Sequence, residues 1–173
     1  MANPKTMGQI GSILNVGAAI LGSAAGIAGI ICLLISYLGL SKQTKRPEIK
    51  RRMIIWFVLS LIGAIIISIG IFTVYFRFMI SEPSTIEDMI VLFKDSLPVI
   101  IPTFSIAYCL GLVSEWHFYK ANQLLARIKG EPNFNTAGLL SWIGALTSII
   151  FIGGIFYMIS IIVLVVAFFG KWK

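Results

Sequence analysis

Charged positions in this chain fall into short clusters, and the stretches between the clusters are apolar. Four runs carry no charge: Met7–Leu40 with 34 residues, Met53–Phe76 with 24, Ser96–Ser114 with 19 and Thr136–Gly170 with 35. At ~1.5 Å per residue, the two middle runs are about 36 and 28 Å long as helices. The hydrocarbon core of a bilayer is about 30 Å thick. Each middle run therefore predicts one ordinary spanning helix. The outer runs are too long for that. A straight helix of 34 residues would extend about 51 Å and need a tilt above ~50°, outside the usual range of about 0–40°. Both outer runs hold glycine near their centres, LGSAAG at Leu21–Gly26 and IGG at Ile152–Gly154. Glycine permits tight reversal and also close packing of straight transmembrane helices, so glycine alone does not decide.

Charge placement favours reversal. The segment SKQTKRPEIKRR holds Lys42, Lys45, Arg46, Lys50, Arg51 and Arg52 against one Glu48, which predicts a cytoplasmic loop. One crossing then delivers Glu82–Asp95 outside, and the next returns Glu115–Asn135 inside. If both outer runs are hairpins, both termini lie inside and 12 of the 14 Lys and Arg are cytoplasmic, all but Arg77 and Lys94. Trp56, Trp116, Trp142 and Trp172 then fall near the inner interface, where tryptophan concentrates. The expected fold is all-α, a polytopic transmembrane bundle of 4–6 helical segments. Two central-glycine segments, 7–40 and 136–170, each read as a hairpin with a re-entrant pair or a single long helix as the alternatives, flank two spanning helices, 53–80 and 96–116. Residues 1–173 form one transmembrane domain.

Two amphipathic stretches lie between the runs. STIEDMIVLF opens with a capping-box pattern, Ser84 to Glu87, and predicts an outer interfacial helix over 84–95. WHFYKANQLLARIKG predicts an inner interfacial helix over 117–130, ended by Gly130 and Pro132.

Composition agrees with the pattern. Of 173 residues, 58% are hydrophobic and 12% charged, against about 25% charged in a soluble domain. The net charge of +7 follows from the positive-inside bias, because the basic residues flank apolar spans instead of alternating with exposed aromatics; no nucleic-acid partner is expected. The stretch after MANPKT is too long for a cleavable signal and is expected to be retained.

The candidate chemistry is sparse. Cys32 and Cys109 have no ligand spacing and read as packing residues. His117 is the single histidine, which excludes bis-histidine haem, and it reads as a solvated interfacial residue. No Asp or Glu lies inside an apolar run, so a membrane carboxylate dyad is excluded. Arg77 reads as snorkelling to the outer interface. Asn15 and Gln9 read as packing groups, with a polar path as the alternative. Pro98 and Pro102 read as the start of the third run with a local kink. No catalytic residue, cofactor or metal is expected. The basic residues Lys42, Lys45, Arg46, Lys50, Arg51 and Arg52 are candidates for holding lipid headgroups or anchoring the chain at the cytoplasmic face. Gly22, Ala25, Gly26, Gly29, Gly153 and Gly154 are candidates for helix packing or turns.

The stretches GQIGSILNVGAAILG…GIAGIICLLISYLGLSK and FYKANQLLARIKGEPNFNTAGLLSWIGAL, the latter followed by an apolar tail, cover about half the chain. They resemble a family of small archaeal membrane proteins described as a domain of unknown function. The resemblance implies an archaeal plasma membrane and brings no catalytic residues. The expectation is a non-enzymatic, multi-pass plasma-membrane protein with cytoplasmic termini. It would be a structural or accessory subunit that binds lipids, other membrane proteins or copies of itself. A small oligomeric channel or transporter is the alternative.

Overall fold

The computed structural model describes residues 3–21, 23–150 and 152–172. These residues form six α-helices: α1 Pro4–Leu21, α2 Ser23–Gln43, α3 Pro47–Ser81, α4 Ile86–Lys129, α5 Pro132–Thr147 and α6 Gly153–Phe169. A short 3-10 turn, Ser148–Ile150, precedes α6. Among the described residues, three helices have the length and composition to cross a bilayer: Ala24–Gln43, Pro47–Ser81 and Ile86–Lys129. Gly153–Phe169 is a shorter apolar helix.

Both outer runs are helical hairpins. Ser36 donates its hydroxyl to Pro4 O at 2.6 Å, while Gly11 lies against Gly29, so α1 and α2 run antiparallel. Ser160 donates to Ala137 O at 2.7 Å and Gly144 lies against Gly153, which makes α5 and α6 antiparallel as well. The physical reason is length: as two helices of 18 and 21 residues, the first run measures about 27 and 32 Å, close to a hydrocarbon core.

The segments expected between and beside the spans are not separate. The outer helix 84–95, the span 96–116 and the inner helix 117–130 are one continuous helix of 44 residues, α4. Neither junction carries a breaker: Asp95–Ser96 and Trp116–His117 lack Gly and Pro. Pro98 and Pro102 lie inside α4 and do not begin it. Each removes one backbone donor, which apolar spanning helices tolerate. The cap also differs. Thr85 Oγ1 accepts from Asp88 N, and Asp88 Oδ2 accepts from Thr85 N, both at 3.1 Å. The reciprocal pair is thus Thr85–Asp88, one residue beyond Ser84–Glu87. At the other end Gly130 takes φ 64°, and α5 begins at Pro132 with Glu131 as its N-cap.

The chain divides into two compact units, Met1–Phe57 with Leu112–Lys173, and Val58–Gly111. The core of the first unit follows helical spacing. Leu33, Tyr37 and Leu40 on α2, Ile49, Met53 and Trp56 on α3, and Phe118, Ala121 and Leu125 on α4 are buried one turn apart. Phe134 on α5 and Phe168 on α6 meet edge to face at 5.1 Å. In the second unit, small residues let α3 and α4 approach: Gly63 lies near Ala107 O and Gly70 against Thr103. Seven residues beyond Gly70, Arg77 donates to Asp95 O at 3.1 Å. Arg77 thus ties α3 to α4 while its side chain stays exposed. The rest of this unit presents apolar side chains outward, with Ile69 62% and Phe72 64% exposed, as a lipid-facing surface requires.

Candidate functional site

The polar centre of the first unit is Glu115, in the helix α4. It is buried, at 8% exposure. Its Oε1 accepts from Trp56 Nε1 of α3 at 3.2 Å, and its Oε2 accepts from Ser141 Oγ of α5 at 2.5 Å. The Tyr157 side chain on α6 stands close to the same carboxyl. Ser114 Oγ donates to Trp56 O at 2.9 Å and fixes the same turn of α3. A carboxylate offers about four acceptor positions, and here neutral donors from two other helices reach both of its oxygens. The Ser141 hydroxyl can donate or accept, so it can serve either protonation state; the indole only donates.

One turn along the same face of α4 stand Phe118 and then Asn122. Phe118 packs on Trp56, with centroids 5.1 Å apart, and on Tyr37 at 6.1 Å. Tyr37 donates its hydroxyl to Asn122 Oδ1 at 2.5 Å, and Asn122 Nδ2 donates to Phe118 O at 3.0 Å. Both residues are fully buried. The contact depends on Gly138: a Cβ there would stand 2.9 Å from Asn122 Cβ and 3.0 Å from Tyr119 Cα. Glu115 and Asn122 on this face of α4 are thus each paired with neighbouring side chains, as buried groups in an apolar setting require.

The sequence signal for this centre is weak. Glu115 is the first residue past an uncharged run, so it reads as the start of a solvated segment. Its burial becomes legible only from the helical spacing Glu115–Phe118–Asn122, which continues the apolar face of α4. Trp56, expected at the interface, is in the core at 7% exposure with its indole on Glu115. Trp116, 39% exposed, packs tilted against Trp142 with centroids 5.1 Å apart, and Lys120 Nζ lies 4.6 Å from its ring. Trp172 lies under Lys5 and Lys129, at 5.0 and 5.2 Å.

The basic residues sit together around the α2–α3 turn. Lys42, Lys45, Arg46, Lys50 and Arg51 are exposed, and Arg52 is half-buried. Lys45 takes φ 53°, the left-handed conformation of a tight turn. Ser41 closes that turn by donating to Arg46 O at 2.7 Å and accepting Arg46 N at its carbonyl at 3.1 Å. Of the expected packing residues, Gly29 lies against Gly11 and Asn15, Gly26 against Ala18, and Gly153 against Gly144 and Ser148. Ala25 is half-buried, Gly154 faces open space, and Gly22 lies outside the described residues. Asn15 donates within its own helix, to Gly11 O at 2.9 Å, whereas Gln9 reaches across to Phe168 O at 3.2 Å. Among the described residues no group of three or more His, Cys, Asp or Glu is placed to hold a metal ion.

An all-α bundle with three bilayer-length apolar helices and an internally satisfied polar centre defines the class, a polytopic helical membrane protein. The chain belongs to the family described as "Protein of unknown function (DUF996)", whose profile matches residues 25–162. It is similar to the uncharacterized protein MJ1644 of Methanocaldococcus jannaschii, 26% identical over 166 residues that cover 96% of this chain and 90% of the relative. No solved structure matches it.

Proposed function

We propose that this is a non-enzymatic plasma-membrane protein, a structural or accessory subunit that engages anionic lipids and other membrane proteins or further copies of itself, with both termini cytoplasmic. One observation carries the reading: the α2–α3 turn presents five exposed cations, Lys42, Lys45, Arg46, Lys50 and Arg51, directly between apolar helices. Each cation near an anionic membrane surface contributes about 1 kcal/mol. The archaeal relative supports an archaeal membrane as the setting. The commitment of Glu115 to Trp56 and Ser141 supports a role for that carboxyl in holding the bundle together.

Affinity purification from native membranes, followed by lipid and protein mass spectrometry, tests this reading. Enrichment of anionic lipid and of a defined membrane-protein partner is expected. A chain that purifies alone, with no lipid preference, overturns it.

Glu115 favours the second reading, a small oligomeric channel or transporter, because ionisable groups at membrane depth mark ion pathways. Proton or cation flux into liposomes that disappears in Glu115→Gln would replace the first reading with this one.

A further inference from the structure

Among the described residues three side-chain polar atoms of the first unit are buried without a hydrogen-bond partner: the acceptor Asn135 Oδ1 on α5, and Arg52 Nε on α3 and His117 Nδ1 on α4. Trp56, one turn after Arg52 on α3, packs on Phe118, the residue after His117, with centroids 5.1 Å apart, so the arginine and the histidine stand on adjoining turns of the two helices; Arg51 precedes Arg52 in the chain. Native proteins rarely leave such atoms unpaired, and those that persist call for a cause. Here the cause has a definite chemistry. Arg52 Nε only donates, and His117 Nδ1 donates when it carries the proton. The acidic side chains of this unit are engaged or exposed elsewhere. Glu115 holds Trp56 and Ser141, and Glu131 caps α5. Glu48, one turn before Arg52, is exposed and, among the described residues, forms no ion pair with it. Two donors from neighbouring helices, with a further guanidinium beside them and no carboxylate between them, make an oxyanion receptor. Its surroundings resemble those of a headgroup: Trp116 precedes His117 and lies with Lys120, and the five exposed cations of the α2–α3 turn adjoin Arg52.

We propose that Arg52 and His117 form a binding site for one phosphate group, that of an anionic lipid, with Arg51 contributing charge. This deepens the lipid-binding reading above and rests on it: the exposed turn attracts the anionic surface, and the half-buried pair holds a single headgroup.

The test uses the full chain in detergent, titrated with phosphatidylglycerol, phosphatidylcholine or inorganic phosphate. Bound lipid is followed by native mass spectrometry and the one histidine by its side-chain 15N resonances. Phosphatidylglycerol is expected to move the histidine signals and to bind in preference to phosphatidylcholine. Arg52→Gln and His117→Gln should each weaken it about five- to tenfold, the scale of one lost charged contact. Lys94→Gln, exposed on α4 and outside the basic turn, should change it less than about twofold. Displacement of the lipid by inorganic phosphate would assign the site to phosphate in general, and failure to displace it would assign the site to the headgroup. Histidine signals unmoved by either ligand would overturn the proposal without recourse to any variant. Wild-type lipid binding in both Arg52→Gln and His117→Gln, with loss in a Lys42/Lys45/Arg46 triple variant, would overturn the site and leave the lipid-binding reading standing. No preference for phosphatidylglycerol in the wild-type chain would remove both.

Discussion

Ser141 on α5 donates its hydroxyl to Oε2 of Glu115 on α4 at 2.5 Å, while Trp56 of α3 donates to the other oxygen. One carboxyl thereby joins three helices. Removing the carboxyl orphans several donors at once, whereas an amide keeps an acceptor. Glu115→Ala should therefore be much more destabilising than Glu115→Gln. A buried group left unpaired costs about 1–3 kcal/mol, and in a chain of this length each kcal/mol lowers the melting temperature by about 2–4 °C. Thermal unfolding in detergent, followed by tryptophan fluorescence, reads the difference. Equal melting temperatures for Glu115→Ala and wild type would remove the carboxyl from the account of stability.

Gly138 and Gly154 both lie in the second hairpin, but only Gly138 is enclosed. A methyl group at Gly138 meets Asn122 Cβ and the backbone of Tyr119, whereas at Gly154 it meets open space. Gly138→Ala should push α5 from α4 and strain the Tyr37–Asn122 hydrogen bond, at about 1–3 kcal/mol for overpacking. Gly154→Ala should be neutral or slightly stabilising, because alanine is the better helix former. The same melting experiment ranks the two, and the opposite ranking would contradict this packing.

The start of α4 rests on Thr85 and Asp88, which exchange hydrogen bonds at 3.1 Å. Ser84 only adds its hydroxyl to Asp88 at 3.3 Å. Thr85→Ala should fray the first turn of α4, at about 1 kcal/mol for a lost cap, and Ser84→Ala should leave it intact. Hydrogen exchange of the amides of residues 86–90 distinguishes them: faster exchange is expected in Thr85→Ala only.

The bundle was legible because its causes are local. Uncharged runs longer than a bilayer must fold back, and Gly130 with Pro132 must end a helix. What escaped was set by neighbours in space. The continuity of α4 through Asp95–Ser96 and Trp116–His117 could not be read from polarity, since a change from apolar to amphipathic residues alters what a helix faces without ending it. Glu115 looks like a surface residue beside Trp116 and His117. Only the hydrogen bonds from Trp56, 59 residues earlier, and Ser141, 26 residues later, make its burial tolerable. The cap moved by one residue because Thr85 and Asp88 offer the same reciprocal chemistry as Ser84 and Glu87, and the pattern alone does not choose between them.

The expected orientation follows from the hairpins. With both hairpins and both spans crossing the membrane, both ends of the chain are expected on the side of the α2–α3 turn and the α3–α4 turn on the opposite side. Single-cysteine probes on a background with Cys32 and Cys109 replaced should separate the two faces. Ser84 in the α3–α4 turn should label from outside, and Lys45 and Lys171, both exposed, only after the membrane is opened. Gly154 is a better probe of the second hairpin than Gly153, because Gly153 is buried against Gly144 and Ser148 while Gly154 has free space. Labelling of Lys171 and Ser84 from the same side would mean that α5 and α6 do not return the chain, and the cytoplasmic placement of the C-terminal end would fall with it.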